Sequence, residues 1–151
     1  MNPVIRRLSL LAFLAAAALV FAGVASAQTA GHEKQLVQHI HIVVKSDVQH
    51  GKLGSDGKWH DAFLPASFAV KAGAKVIVTV KNYDDMPHSF RAAGLKTNAI
   101  IMPGNDKGVT STFTFTAPEK AGRYAWHCDP KCDPWAMKHV GFMKGFVTVK
   151  A

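Results

Sequence analysis

Cys128, Cys132, His139 and Met143 fall within sixteen residues of one another, and His88 stands forty positions before Cys128. Thiolate, imidazole and thioether together form a copper ligand set. Sulfur donors favour Cu(I), and imidazole holds either oxidation state. Zinc seldom recruits methionine, and calcium or magnesium would want oxygen donors. His88, Cys128, Cys132, His139 and Met143 are therefore the candidate metal ligands, for one or two copper ions. No serine–histidine–acid or paired-carboxylate pattern is present, and neither GxGxxG nor GxxxxGK[ST] occurs. The chain is not expected to be an enzyme.

Ligands this far apart in sequence need a rigid frame, and the chain reads as all-β. Val76, Val78 and Val80 alternate with Ile77 and Thr79 over Lys75 to Lys81. Leu36 to Val44 places Ile40, Ile42 and Val44 on one face and His39, His41 and Val43 on the other. Ser111 to Thr116 points Phe113 and Phe115 inward, and Arg123 to His127 and Phe146 to Lys150 are two further strands. Phe63 to Val70 is apolar but interrupted by Pro65, which suits an edge strand or a crossover. Gly51, Gly54 and Gly57 mark a loop or hairpin, and Pro134 to Lys138 fits one helical turn. Short strands separated by turn signals predict a sandwich or barrel. In such a frame, loops at one end of the sheets can bring the five ligands together.

The start of the chain is an address. Arg6 and Arg7 precede a largely apolar run over Leu8 to Ala22, and Ala25-Ser26-Ala27 supplies small residues for cleavage. This pattern predicts a signal peptide over residues 1–27 and one domain over 28–151. The run is short for a membrane span, so no membrane span is expected after cleavage. A periplasmic or secreted protein follows, expected to be a monomer. The chain has 151 residues and a formal charge of +8. Two cysteines are too few for a disulfide scaffold or a four-cysteine zinc site. Export and the lack of a basic-aromatic motif remove nucleic acid as a partner.

Three stretches carry a family resemblance. Val78 to Phe90, VTVKNYDDMPHSF, resembles the first ligand loop of plastocyanin-like copper proteins, with Asn82, and with Pro87 directly before His88. Phe113 to Cys128, FTFTAPEKAGRYAWHC, resembles the strand leading to their copper cysteine. Gly141 to Val149, GFMKGFVTV, is similar to the methionine ligand and closing strand. The resemblance is to the cupredoxins, and it implies a Greek-key β-sandwich, a bound copper centre and electron transfer. The Cys128-xxx-Cys132 pair is similar to the binuclear copper A loop of cytochrome oxidase subunit II. That loop continues with three residues and histidine, then two residues and methionine. Here six residues precede His139 and three precede Met143.

Three readings of the cysteines follow. They form a disulfide; or Cys128 joins His88, His139 and Met143 around one copper while Cys132 stays free; or both thiolates bridge two coppers. The expected function is outer-sphere electron transfer to a redox partner such as a cytochrome or oxidase, with Lys131, Lys138 and Lys144 as a docking face for an acidic one. The alternatives are a copper carrier that stores the metal or delivers it to an oxidase, and a metal-free structural sandwich with a Cys128–Cys132 disulfide. His127 points away from the ligand side and is expected at the surface, as are His39 and His41. Asp84 and Asp85 read as turn residues, Asp129 and Asp133 as solvated loop charges, and Trp135 as a shield over the site.

Overall fold

The computed structural model describes residues 35–151. The leader expected over residues 1–27 lies outside the described residues. No helix among the described residues is long and apolar enough to cross a membrane.

Two sheets form the expected all-β sandwich. One has four strands in the order β4-β1-β6-β9: β1 Val37–Lys45, β4 Ala62–Leu64, β6 Lys75–Asn82 and β9 Val109–Thr116. The other has five, β5-β11-β10-β7-β8: β5 Phe68–Lys71, β7 His88–Ala92, β8 Thr97–Ile101, β10 Gly122–His127 and β11 Lys144–Lys150. A small hairpin pairs β2 Lys52–Leu53 with β3 Trp59–His60. The glycine-punctuated segment thus becomes a hairpin, and the apolar segment containing Pro65 becomes a crossover. Its first half pairs with β1 on one sheet and its second half with β11 on the other.

Alternation decides which faces meet. Val76, Val78 and Val80 of β6 are fully buried, as are Ile42 and Val44 of β1. They face Phe90, Trp126, Val147 and Val149 of the second sheet in one core. Each such aliphatic side chain contributes about 1.5–3 kcal/mol relative to exposure. Trp126 stacks on Phe90 with centroids 4.6 Å apart and tilts against Phe63 at 4.8 Å. Its indole N–H donates to the Ala66 carbonyl at 2.8 Å, anchoring the crossover. At Gly145, an added Cβ would stand 1.8 Å from that same carbonyl oxygen. Only a residue without a side chain lets β11 run this close.

Strands β7 and β8 escape the sequence pattern. His88, Ser89 and Phe90 are all buried, so β7 lacks a polar alternate face. Strand β8 alternates weakly, over Thr97–Ile101, and its outward face includes the exposed Ile100. The turn expected over Pro134 to Lys138 is a short 3-10 helix, Ala136–Lys138.

Candidate metal centre

The site is built where three neighbouring strands meet. Strand β10 runs antiparallel to both β11 and β7, and His127 at its end pairs with Lys144 on one side and Arg91 on the other. The end of β10 therefore lies beside the beginning of β11, and the residues just past it, Cys128 and Asp129, run alongside the first residues of β7, where both bond to Ser89. Cys128 follows β10, His88 opens β7 and Met143 directly precedes β11. Antiparallel pairing thus draws residues that are distant in sequence to one end of the sandwich.

His88, Cys128 and Cys132 form the group. One ligand atom from each lies within 4.8 Å of the other two. His88 Nδ1 is 3.7 Å from the Cys128 sulfur. His88 is fully enclosed, Cys128 almost so, and Cys132 only partly. The Ser89 backbone N–H donates to Cys128 Sγ at 3.3 Å, and the Cys128 N–H donates to the Met143 carbonyl at 2.9 Å. The Ser89 hydroxyl accepts from the Asp129 N–H at 2.9 Å. The cysteine is thus tied to β7 and to the residue before β11. Both cysteines are free thiols. That geometry favours the readings in which thiolates face a metal.

The imidazole is oriented from behind. His88 Nε2 donates to Asp84 Oδ2 at 2.8 Å, which turns Nδ1 toward the sulfurs. Asp84 is itself fixed: its N–H donates to Asn82 Oδ1 at 3.0 Å. The buried Asn82 amide donates to the Met86 and Met102 carbonyls at 3.0 and 2.9 Å, holding two loops over the end of β6. A carboxylate behind a ligating imidazole fixes its tautomer and raises its basicity. Asp84 is therefore more than a turn residue. The Asp–xxx–His spacing ahead of β7 was the available signal, and turn composition obscured it.

Electrostatics polarises the pair of thiols. The hydrogen bond from Cys132, reinforced by the Ser89 N–H, holds Cys128 below the ordinary thiol range despite burial. The neighbouring Cys128 thiolate, with burial, pushes Cys132 well above it. Burial works against protonating His88, but Cys132 and Asp84 outweigh it and raise its pKa. A thiolate facing a soft donor set is the condition for binding a soft cation.

His139 and Met143 take different places. Met143 is fully buried in the core. His139 is outside the triad: its Nδ1–H donates to the Trp135 carbonyl at 2.7 Å. Its ring stacks on the Trp135 indole, with centroids 3.6 Å apart and planes 15° apart. Trp135 carries His60 on its other side, at 4.1 Å and 13°. His60 is gripped by Asp133 at 2.8 Å and by Asp56 at 3.1 Å. Burial opposes a charge on His60, yet these carboxylates raise its pKa.

Asp133 does more than carry a solvated charge. Its Oδ1 accepts the Trp135 and Ala136 N–H groups, both at 2.8 Å, and its Oδ2 accepts the Asp61 N–H at 3.2 Å. It folds the loop between Cys132 and His139 and ties it to the region of β3. Sequence gave no sign of this, since His60 and Asp133 are 73 residues apart. Asp129 is a surface charge, paired with Arg91 and His127 at 3.0 Å each. His127, His39 and His41 are exposed, as expected.

The donor chemistry fits copper: two sulfurs and one imidazole converge within bonding reach of a single ion or a close pair. The profile of the cupredoxin-like domain family matches residues 12–149. No curated protein matches the chain. Among solved structures, a blue copper oxidase from Nitrosomonas europaea is similar at 22% identity and a TM-score of 0.56, over 76% of this chain and 39% of that one. The chain thus spans well under half the length of that oxidase. A heme-copper terminal oxidase matches at 16% identity and a TM-score of 0.51, over 79% of this chain and 67% of that one. Auracyanin A, a blue copper protein from Chloroflexus aurantiacus, matches at 21% identity and a TM-score of 0.50, over 76% of this chain and 99% of that one. At these identities the likenesses carry the fold.

Proposed function

The chain belongs to the cupredoxin-like domain family, and from that premise we propose that it is an exported copper protein performing outer-sphere electron transfer. The observation that carries the reading is the convergence of His88, Cys128 and Cys132 at the loop end of a closed sandwich. His88 and both cysteines would hold the metal, with Met143 and His139 as the remaining donors of the loop. Copper, when bound, supplies a one-electron couple.

The chain's own residues set the conditions for that couple. The Ser89 N–H stabilises the Cys128 thiolate. Asp84 fixes the donor atom of His88. Ligands on packed strand ends move little when charge changes, so the frame keeps reorganisation small. Buried Phe90, Phe142 and Met143 lower the polarity around the thiolate. Lys131 and Lys138 are exposed and Lys144 is partly so. Together they offer a basic face to an acidic cytochrome or oxidase, whose reduction would slow as ionic strength rises.

Copper reconstitution of the metal-free protein, with metal stoichiometry and optical and EPR spectra, tests the reading. One copper per chain corresponds to a mononuclear site, with Cys132 either bound or free, and two correspond to a binuclear site that uses both thiolates. No stable copper, or copper without a thiolate signature, overturns the proposal.

One observation favours a second reading, a copper carrier. With His139 held on Trp135, the triad offers two sulfurs to one imidazole, a set biased toward Cu(I). A carrier surrenders its metal to a competing chelator within the experiment. An electron carrier keeps it through repeated oxidation and reduction.

A further inference from the structure

Beside the triad lies a cavity of about 650 Å³. Asp47, Asp61, Asp84, Asp85, Asp106 and Asp133 line it. These are six of the ten acidic residues in a chain of formal charge +8. Lys58 and His60 are the basic side chains on its walls. A negative recess in a positive molecule focuses the field that a small cation feels. Carboxylates alone would attract any cation, but two further features select a soft one. Cys132 is on the cavity wall, whereas Cys128 and His88 are sealed away from it. Of the three clustered donors, Cys132 is the one that solvent can reach. Met86, on the cavity lining, is 44% exposed, and Met102, outside the lining, is 56% exposed. The Asn82 amide holds the backbones of both in place. Exposed thioethers outside and a thiol within make a series of increasingly strong donors for Cu(I).

We propose that this aspartate-walled cavity is the access route of copper to the centre, with Met86 at its mouth and Cys132 as the first donor encountered. The proposal rests on the copper reading above and adds a path to it. The aspartates act on the approach, and the sulfur and imidazole groups act on the final affinity. Loading rate and binding strength should therefore respond to different residues.

The experiment mixes metal-free protein anaerobically with Cu(I), supplied as its weak acetonitrile complex, in a stopped-flow instrument. Ultraviolet thiolate-to-copper absorption reports uptake. Asp85→Asn and Asp106→Asn, singly and together, remove charge at exposed positions away from the clustered donors. Glu119→Gln removes the same charge outside the cavity. The paired cavity variant is expected to load roughly threefold or more slowly, with a shallower dependence on ionic strength. Its equilibrium affinity should stay within about twofold, and Glu119→Gln should load normally. Met86→Ala should also slow loading at unchanged affinity. Unchanged rates in all variants, with a normal final spectrum, overturn the route and leave the copper reading standing. A loss of affinity matching the loss of rate also overturns it, because the aspartates would then belong to the binding site. Absence of uptake by the unmodified protein overturns both.

Discussion

Asp61 should make the metal-free protein less stable as pH rises through the mildly acidic range. It is 7% exposed, and its Oδ1 accepts the Asp47 N–H at 3.0 Å. Burial pushes its carboxyl up, and Asp84 and Asp133 add to this despite the bond from Asp47, giving a pKa of about 6 against an ordinary 3.8. The folded state therefore holds this proton more tightly than the unfolded state. The associated stability is fully present below pH 4 and is lost as pH climbs through about 6. At 1.36 kcal/mol per unit, the shift corresponds to about 3 kcal/mol. Asp61→Asn keeps an oxygen for the Asp47 N–H and cannot ionise. Urea unfolding of both proteins from pH 3.5 to 7.5 isolates the effect as a difference, so other titrating groups cancel. The variant should match the parent near pH 3.5 and exceed it by up to about 3 kcal/mol at pH 7.5. A difference that is flat with pH, or a variant less stable at neutrality, would refute the assignment of a strained carboxylate.

Three further outcomes are expected. Asp84→Asn weakens the support behind His88 and should reduce copper affinity about 10- to 100-fold in a chelator competition; a change under twofold contradicts that role. Gly145→Ala forces a methyl against the Ala66 carbonyl, which Trp126 also uses, and should cost about 1–3 kcal/mol in chemical denaturation. Cys132→Ser should leave the fold intact by circular dichroism but alter the thiolate absorption of the copper-loaded protein. An unaltered spectrum would exclude Cys132 from the ligand set.

Much of the frame was legible because strands buried on one face announce themselves by alternation. Val76, Val78 and Val80 do so, and so does β1. His88 to Phe90 are buried in succession, which erased the period of β7. At the site, Cys128 and Cys132 were visible because the chain has only two thiols, and His88, one of eight histidines, because it follows Pro87 in a recognisable ligand loop. Their supports were not. Asp84 and Asp133 have the composition of turns, and only the fold brings Asp133 to His60 or reveals Asp84 behind His88. His139 was read from side-chain type and from its place in a loop similar to that of copper A, whereas its placement depends on the flat face of Trp135.

Strand β11 lies between β5 and β10, although its residues are synthesised after both. Until Lys144–Lys150 leave the ribosome, β5 has no partner in its sheet and the Cys128 N–H lacks the Met143 carbonyl. The joining of β5 to its sheet and the backbone support of Cys128 therefore both depend on β11 and the residue before it. One short strand thus completes the second sheet and fixes the backbone of the metal-facing thiol in the same step.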